Sequence, residues 1–131
     1  MKSIFKYQGP ALWWALFVFI LCTIKFGGVS QSPMFFAGFD KLAHCGLWFV
    51  LTTMLCSGLL RNNEQHNLNL GRSFFALLIP ALYGGIIELL QSYIFTWRSG
   101  EWADLFADCV GTGMGLFGAL IAIWAMNYEK K

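Results

Sequence analysis

The chain has 131 residues, of which 57% are hydrophobic and only 12% charged, and its mean hydropathy is +0.58. A soluble domain carries roughly 25% charged residues, so this balance points to an integral membrane protein and leaves no length for a separate soluble domain. A net charge of +2, scattered along the chain, gives no basic patch for nucleic acid.

A bilayer-spanning helix needs about 20 mostly apolar residues, and the chain accommodates four. The first span is expected from Pro10 to Phe26, with Pro10 in the first helical turn, where a missing N–H is harmless. Lys2 and Lys6 ahead of the apolar run Ala11 to Ile24 resemble a secretion signal, but no A-x-A-like site follows. The segment is read as a retained first span. Gly27, Gly28, Ser30, Ser32 and Pro33 break it. The loop to Phe39 carries Met34, Phe35 and Phe36, apolar enough to dip into the membrane interface. A second span is expected over 40–60, ending before the polar run Arg61 to Gln65. The third is placed over 72–95, with Pro80 and the Gly84-Gly85 pair inside it. Such residues are tolerated in membrane helices because neighbours satisfy the freed backbone groups. The fourth is placed over 101–126. The resulting fold class is an all-α bundle of four transmembrane helices, forming one domain over 1–131.

Four spans put both termini on one side of the bilayer. That side holds Lys2, Lys6, Arg61, Arg72, Lys130 and Lys131; the other holds Lys25, Lys41 and Arg98. The excess favours cytoplasmic termini. Trp97 and Trp102 flank the last outer loop, and Trp124 with Tyr128 marks the inner end of the fourth span, where interfacial aromatics are expected.

Against this apolar background several ionisable residues stand out. A charge at the centre of a membrane helix costs on the order of 2.5 kcal/mol or more, so each invites a functional reading. Asp40 and His44 lie four apart on one helix face, with Lys41 beside them. Glu88 and Gln91 are three apart, and Glu88 precedes Phe95 by seven residues, which is about 10 Å at 1.5 Å per residue. Asp104 and Asp108 repeat the four-residue spacing. With cytoplasmic termini all of these groups fall in the outer half of the bilayer, and Arg98 is the natural counter-charge. Each also has a plainer reading. Asp40 and Asp104 can cap helix N-termini, Lys41 can extend toward headgroups, and Arg98 can be an anchor. Glu88 is too far from either end for such roles. Gly111, Gly115 and Gly118 recur at small-residue spacing and predict close helix packing. Cys22, Cys45, Cys56 and Cys109 show no paired spacing and read as small buried apolar residues.

Asp40-Lys41-x-x-His44 opening a span, Tyr83-Gly84 before Ile87-Glu88-x-x-Gln91, and Arg98 followed by Asp104, Asp108 and Gly111 together resemble the VanZ-like family, over Phe39 to Gly118. The resemblance implies a small multi-pass protein of the bacterial inner membrane. Its namesake is associated with low-level resistance to teicoplanin, and no reaction is assigned to the family. Asp108 departs from the pattern, since family members often carry asparagine there.

Three functions fit these residues. One is acid–base catalysis on a lipid-linked envelope substrate, using His44, a buried Glu88 and Arg98, although Ser92, Ser99 and the cysteines offer no activated nucleophile. Another is binding of a lipid headgroup, peptide, cell-wall ligand or antibiotic. The third is ion or proton movement through Glu88 and Asp108, against which no polar path continues inward along the second or fourth span. Asp40, His44, Glu88, Asp104 and Asp108 would give oxygen-rich metal ligation, but no ligand motif marks such a site. No metal or cofactor is therefore expected.

Overall fold

The computed structural model describes residues 2–24, 38–64, 66–95 and 100–129, with side chains from residue 5 onward. They form four helices: α1 (Lys2–Thr23), α2 (Phe39–Arg61), α3 (Leu70–Tyr93) and α4 (Trp102–Tyr128). All four are long and apolar enough to cross a membrane, and no strand occurs among the described residues. The protein is an all-α, multi-pass membrane protein. Large hydrophobic side chains such as Trp13, Leu82, Phe106 and Phe117 are exposed along the outside of the bundle. On a membrane protein these are the lipid-facing surface, because lipid tails solvate them as well as a core would.

The helix ends depart from the expected spans. The α1 helix begins at Lys2, so Pro10 lies well inside it; its missing N–H removes an intrahelical bond. Hydropathy marks where a helix lies in hydrocarbon, and helical hydrogen bonding continues beyond that limit. The α2 helix matches its expected bounds within one residue; Gly38 precedes it with φ of 92°, a left-handed conformation that glycine adopts without penalty. The α3 helix starts at Leu70, two residues early, because the Asn69 side chain accepts a hydrogen bond from the Arg72 N–H at 2.9 Å. The proposed interfacial loop and Phe26 lie outside the described residues, apart from Gly38 and Phe39, which begin the approach to α2.

The centre of the bundle is the α2–α4 pair, which runs side by side in the same direction. Glycine makes this approach possible. A Cβ on Gly111 would collide with the Cys45 carbonyl, and one on Gly115 would lie 2.8 Å from the Phe49 carbonyl oxygen. Gly118 was expected to continue this contact, but nothing stands within 4 Å of its Cβ position. Beyond Gly115 the buried stripe of α4 turns toward Leu116 and Ile123, which pack with Cys56, Leu68 and Ala76. The turn leaves Gly118 outside the contact.

The α3 helix packs against α4 and α2, whereas α1 rests mainly on α2 and makes a smaller contact with α3. A second cluster, Val18, Cys22, Trp48 and Ile87, joins α1, α2 and α3. Around it side chains donate to backbone carbonyls of the neighbouring helix: Trp14 to Leu47 at 3.0 Å, Tyr83 to Ala15 at 2.6 Å and Trp48 to Pro80 at 2.9 Å. Such bonds suit a medium where no water competes and hydrophobic association between helices is weak. Of the cysteines, Cys22 and Cys56 are buried as expected. Cys45 is only partly covered, and Cys109 is exposed on the lipid-facing side of α4.

Candidate functional site

At the end of the bundle where α2 and α4 begin and α3 finishes, the polar residues meet in two layers. Nearer the helix ends, Lys41 Nζ lies 3.0 Å from Glu101 Oε2 and 3.6 Å from Asp104 Oδ1. Lys41 and Glu101 are partly exposed, while Asp104 is buried. Lys41 thus joins α2 to α4 and does not extend freely toward headgroups. Asp104 and Asp40 both occupy first helical turns, but the capping positions themselves belong to Glu101 and Gly38.

One turn deeper, His44 Nδ1 and Asp108 Oδ1 are 2.9 Å apart, and both side chains are almost completely buried. The 40/44 and 104/108 spacings explain the layering: on parallel helices each four-residue step faces its counterpart. His44 stacks on Trp48, with ring centroids 5.7 Å apart and planes 10° from parallel. Trp48 in turn stacks on Tyr83. The histidine ring is therefore held on one face by an aromatic and at one nitrogen by a carboxylate.

Glu88 enters this deeper layer from α3. Its Oε2 accepts the Glu101 backbone N–H at 2.9 Å, which ties the start of α4 to the α3 helix. A ligand atom from each of His44, Glu88 and Asp108 lies within 4.8 Å of the others, and the same holds for Asp40, His44 and Asp104. Two glycines permit the convergence. A Cβ on Gly84 would stand 2.7 Å from Asp108 Oδ2, and one on Gly100 would collide with Ser92 Oγ and crowd the Glu88 backbone.

Buried polar atoms remain in this region. Asp104 Oδ1, Asp108 Oδ2 and Glu88 Oε1 have no hydrogen-bond partner among the described residues. Neither do the hydroxyls of Thr112, one turn beyond Asp108, and Thr52, two turns beyond His44. Both threonines are completely buried. These two hydroxyls lie beyond the carboxylates on the second and fourth helices, along which the sequence suggests no polar path; hydroxyls contribute little to hydropathy yet can face an interface.

Most sequence-predicted site residues do assemble: Asp40, Lys41, His44, Glu88, Asp104 and Asp108. Gln91 does not join them. Its side chain is buried against α1 and donates from Nε2 to the Cys22 carbonyl at 2.8 Å. Arg98, the expected counter-charge, lies outside the described residues. Glu101 was missed as a site residue, although a carboxylate three residues before Asp104, at the mouth of a span, was a visible signal. An open cavity of about 510 Å³ lies elsewhere, between α1, α2 and α3, and is lined largely by apolar side chains such as Ala11, Leu51 and Leu55.

No family model, curated relative or solved structure matches this chain.

Proposed function

We propose that this multi-pass protein is a VanZ-like component of the bacterial cytoplasmic membrane. In this reading both termini are cytoplasmic, and the polar end of the bundle faces the outer leaflet. Its role is to engage the polar part of a lipid-linked or cell-wall ligand during envelope or glycopeptide-antibiotic stress. The observation that carries this reading is the burial of His44, Glu88 and Asp108 together, contributed by three different helices at one end of an apolar bundle. Ionisable groups inside membrane proteins are costly and mark functional pathways and binding sites. The order of Asp40, Lys41, His44, Glu88, Asp104 and Asp108 supports the VanZ-like assignment, and the excess of Lys and Arg on the terminal side supports the orientation.

A second reading is supported by the His44–Asp108 geometry. With Nδ1 engaged by the carboxylate at 2.9 Å, the imidazole has a fixed ring orientation. In the tautomer protonated at Nδ1, Nε2 is free to accept a proton, which is the arrangement of a general base. The corresponding activity is acid–base chemistry on a lipid-linked envelope substrate.

The decisive variant is Glu88→Gln, which keeps shape and removes the charge. In cells challenged with teicoplanin or another envelope stress, it is expected to behave like a deletion while reaching the membrane at wild-type levels. Wild-type behaviour in that assay would overturn the functional reading. Loss of the protein from the membrane would instead assign Glu88 a structural role.

A further inference from the structure

The two layers of the site differ in how their negative charge is balanced. In the layer nearer the helix ends, Lys41 lies beside Glu101 and Asp104. In the deeper layer two carboxylates, Glu88 and Asp108, face one histidine. Asp108 is fully buried and Glu88 only 8% exposed. Each keeps one buried oxygen, Oδ2 and Oε1 respectively, without a hydrogen-bond partner among the described residues. Buried carboxylates are retained when they are paired or when they coordinate a metal.

The donor separations that serve the hydrogen bond between His44 and Asp108 also fit coordination once Nδ1 is deprotonated. Two ligands about 2.1 Å from one ion stand about 3.0 Å apart at right angles and about 3.4 Å apart at the tetrahedral angle. The separation of His44 Nδ1 and Asp108 Oδ1 is 2.9 Å. Glu88 offers the third ligand atom within 4.8 Å of both, a gap that rotation of a carboxylate can close. One imidazole nitrogen with carboxylate oxygens suits a borderline divalent ion better than the all-oxygen cages of Ca²⁺ or the thiolate sites of Cu⁺. The neighbouring triad of Asp40, His44 and Asp104 is the poorer candidate. Asp40 is exposed, and Lys41 already stands beside Asp104, where its positive charge repels a second cation.

We propose that His44, Glu88 and Asp108 bind one divalent transition-metal ion, of the Zn²⁺ or Mn²⁺ class, between α2, α3 and α4. The proposal deepens the functional reading and rests on the same site. A bound ion would supply Lewis-acid attraction for an anionic oxygen of the ligand.

The test uses tag-free protein in detergent, stripped with chelator and titrated separately with ZnCl₂ and MnCl₂. One equivalent of at least one of these ions should bind saturably. Glu88→Gln and Asp108→Asn should each weaken that binding by at least about tenfold, and Asp40→Asn should leave it within about twofold. Three results overturn the proposal: no saturable binding of either ion, binding unchanged in both Glu88→Gln and Asp108→Asn, or binding abolished by Asp40→Asn. Should the deep-layer variants fail to elute as folded protein, the wild type decides. Its melting temperature must rise when stripped protein receives a tenfold excess of the bound ion, and an unchanged melting temperature overturns the proposal. The two readings fail separately. Wild-type protein that binds no metal, with Glu88→Gln still sensitive to envelope stress, refutes the metal alone. Metal binding with a silent Glu88→Gln phenotype refutes the envelope role alone.

Discussion

The α2–α4 pair is held together differently at its two ends. Where the helices begin, Lys41 meets Glu101 and Asp104, and His44 meets Asp108. Toward the other end, Leu116 and Ile123 of α4 pack with Cys56 of α2, backed by Leu55, Leu59 and Leu60. The apolar end needs only filled volume, which lipid-exposed helices achieve with ordinary aliphatic side chains. The polar end needs specific partners at specific distances, and it retains carboxylate oxygens that the bundle itself leaves without hydrogen bonds among the described residues. Packing alone would have been a simpler way to join two helices. The proposed function therefore assigns the form of the polar end to what it binds.

The largest effect is expected where the two ends meet, at Gly111. Its hydrogen faces the Cys45 backbone carbonyl, which cannot rotate aside as a side chain would. Gly111→Leu should force α2 and α4 apart and prevent accumulation in the membrane. Even a side chain that the bundle accommodates by shifting costs about 1–3 kcal/mol in a packed interior. Gly118→Leu, only seven residues later, should accumulate normally, since open space surrounds its Cβ position. Membrane yield and thermal unfolding in detergent measure both. Equal damage from the two substitutions would refute the turn of the contact stripe away from Gly118.

The contrast between these glycines also shows what a sequence reader can and cannot see. Apolar length alone revealed four spans, and the four-residue spacings of Asp40 with His44 and Asp104 with Asp108 revealed a shared face. Gly111 and Gly115 were legible as packing residues. Gly118 was not, because how far a stripe stays in contact depends on the packing of α2 against α4, which spacing alone does not encode. Gln91 was assigned to the polar site by its nearness to Glu88, yet its amide reaches the Cys22 carbonyl. Its destination depended on where α1 lies, which no local pattern encodes. The start of α1 was misplaced because hydropathy falls before helical hydrogen bonding does. Thr52 escaped notice because a hydroxyl signals burial only through the surface opposite it.

A smaller effect on the fold, but a full effect on function, is expected from Gly84→Ala. The added methyl would stand 2.7 Å from Asp108 Oδ2 and 3.2 Å from Trp48 Nε1. A side chain can move, so the bundle should survive; alanine also favours the helix by about 1 kcal/mol over glycine. Asp108 would have to rotate, however, and its 2.9 Å approach to His44 would be lost. Wild-type amounts in the membrane, with the envelope-stress sensitivity of Glu88→Gln, are the expected outcome. Gly85→Ala is the control, because its Cβ position is open. Normal stress resistance in Gly84→Ala would show that the polar end tolerates a displaced Asp108, and the claim that its distances are specific would fail.

The smallest effect should come from Tyr83→Phe, which removes a single hydroxyl at the attachment of α1. That hydroxyl donates to the Ala15 carbonyl at 2.6 Å, and the ring still stacks on Trp48 without it. Interhelical hydrogen bonds in membranes average about 0.6 kcal/mol, because the unfolded reference state in the membrane also finds partners. Unfolding in detergent should thus be only marginally easier, and envelope-stress resistance should be unchanged, since the hydroxyl points to α1 and away from the carboxylates. A destabilisation several times larger would mean that α1 hangs on this bond. The division between an end secured by many modest contacts and the polar end would then need redrawing, with Tyr83 as the link between α1 and the aromatic stack that supports His44.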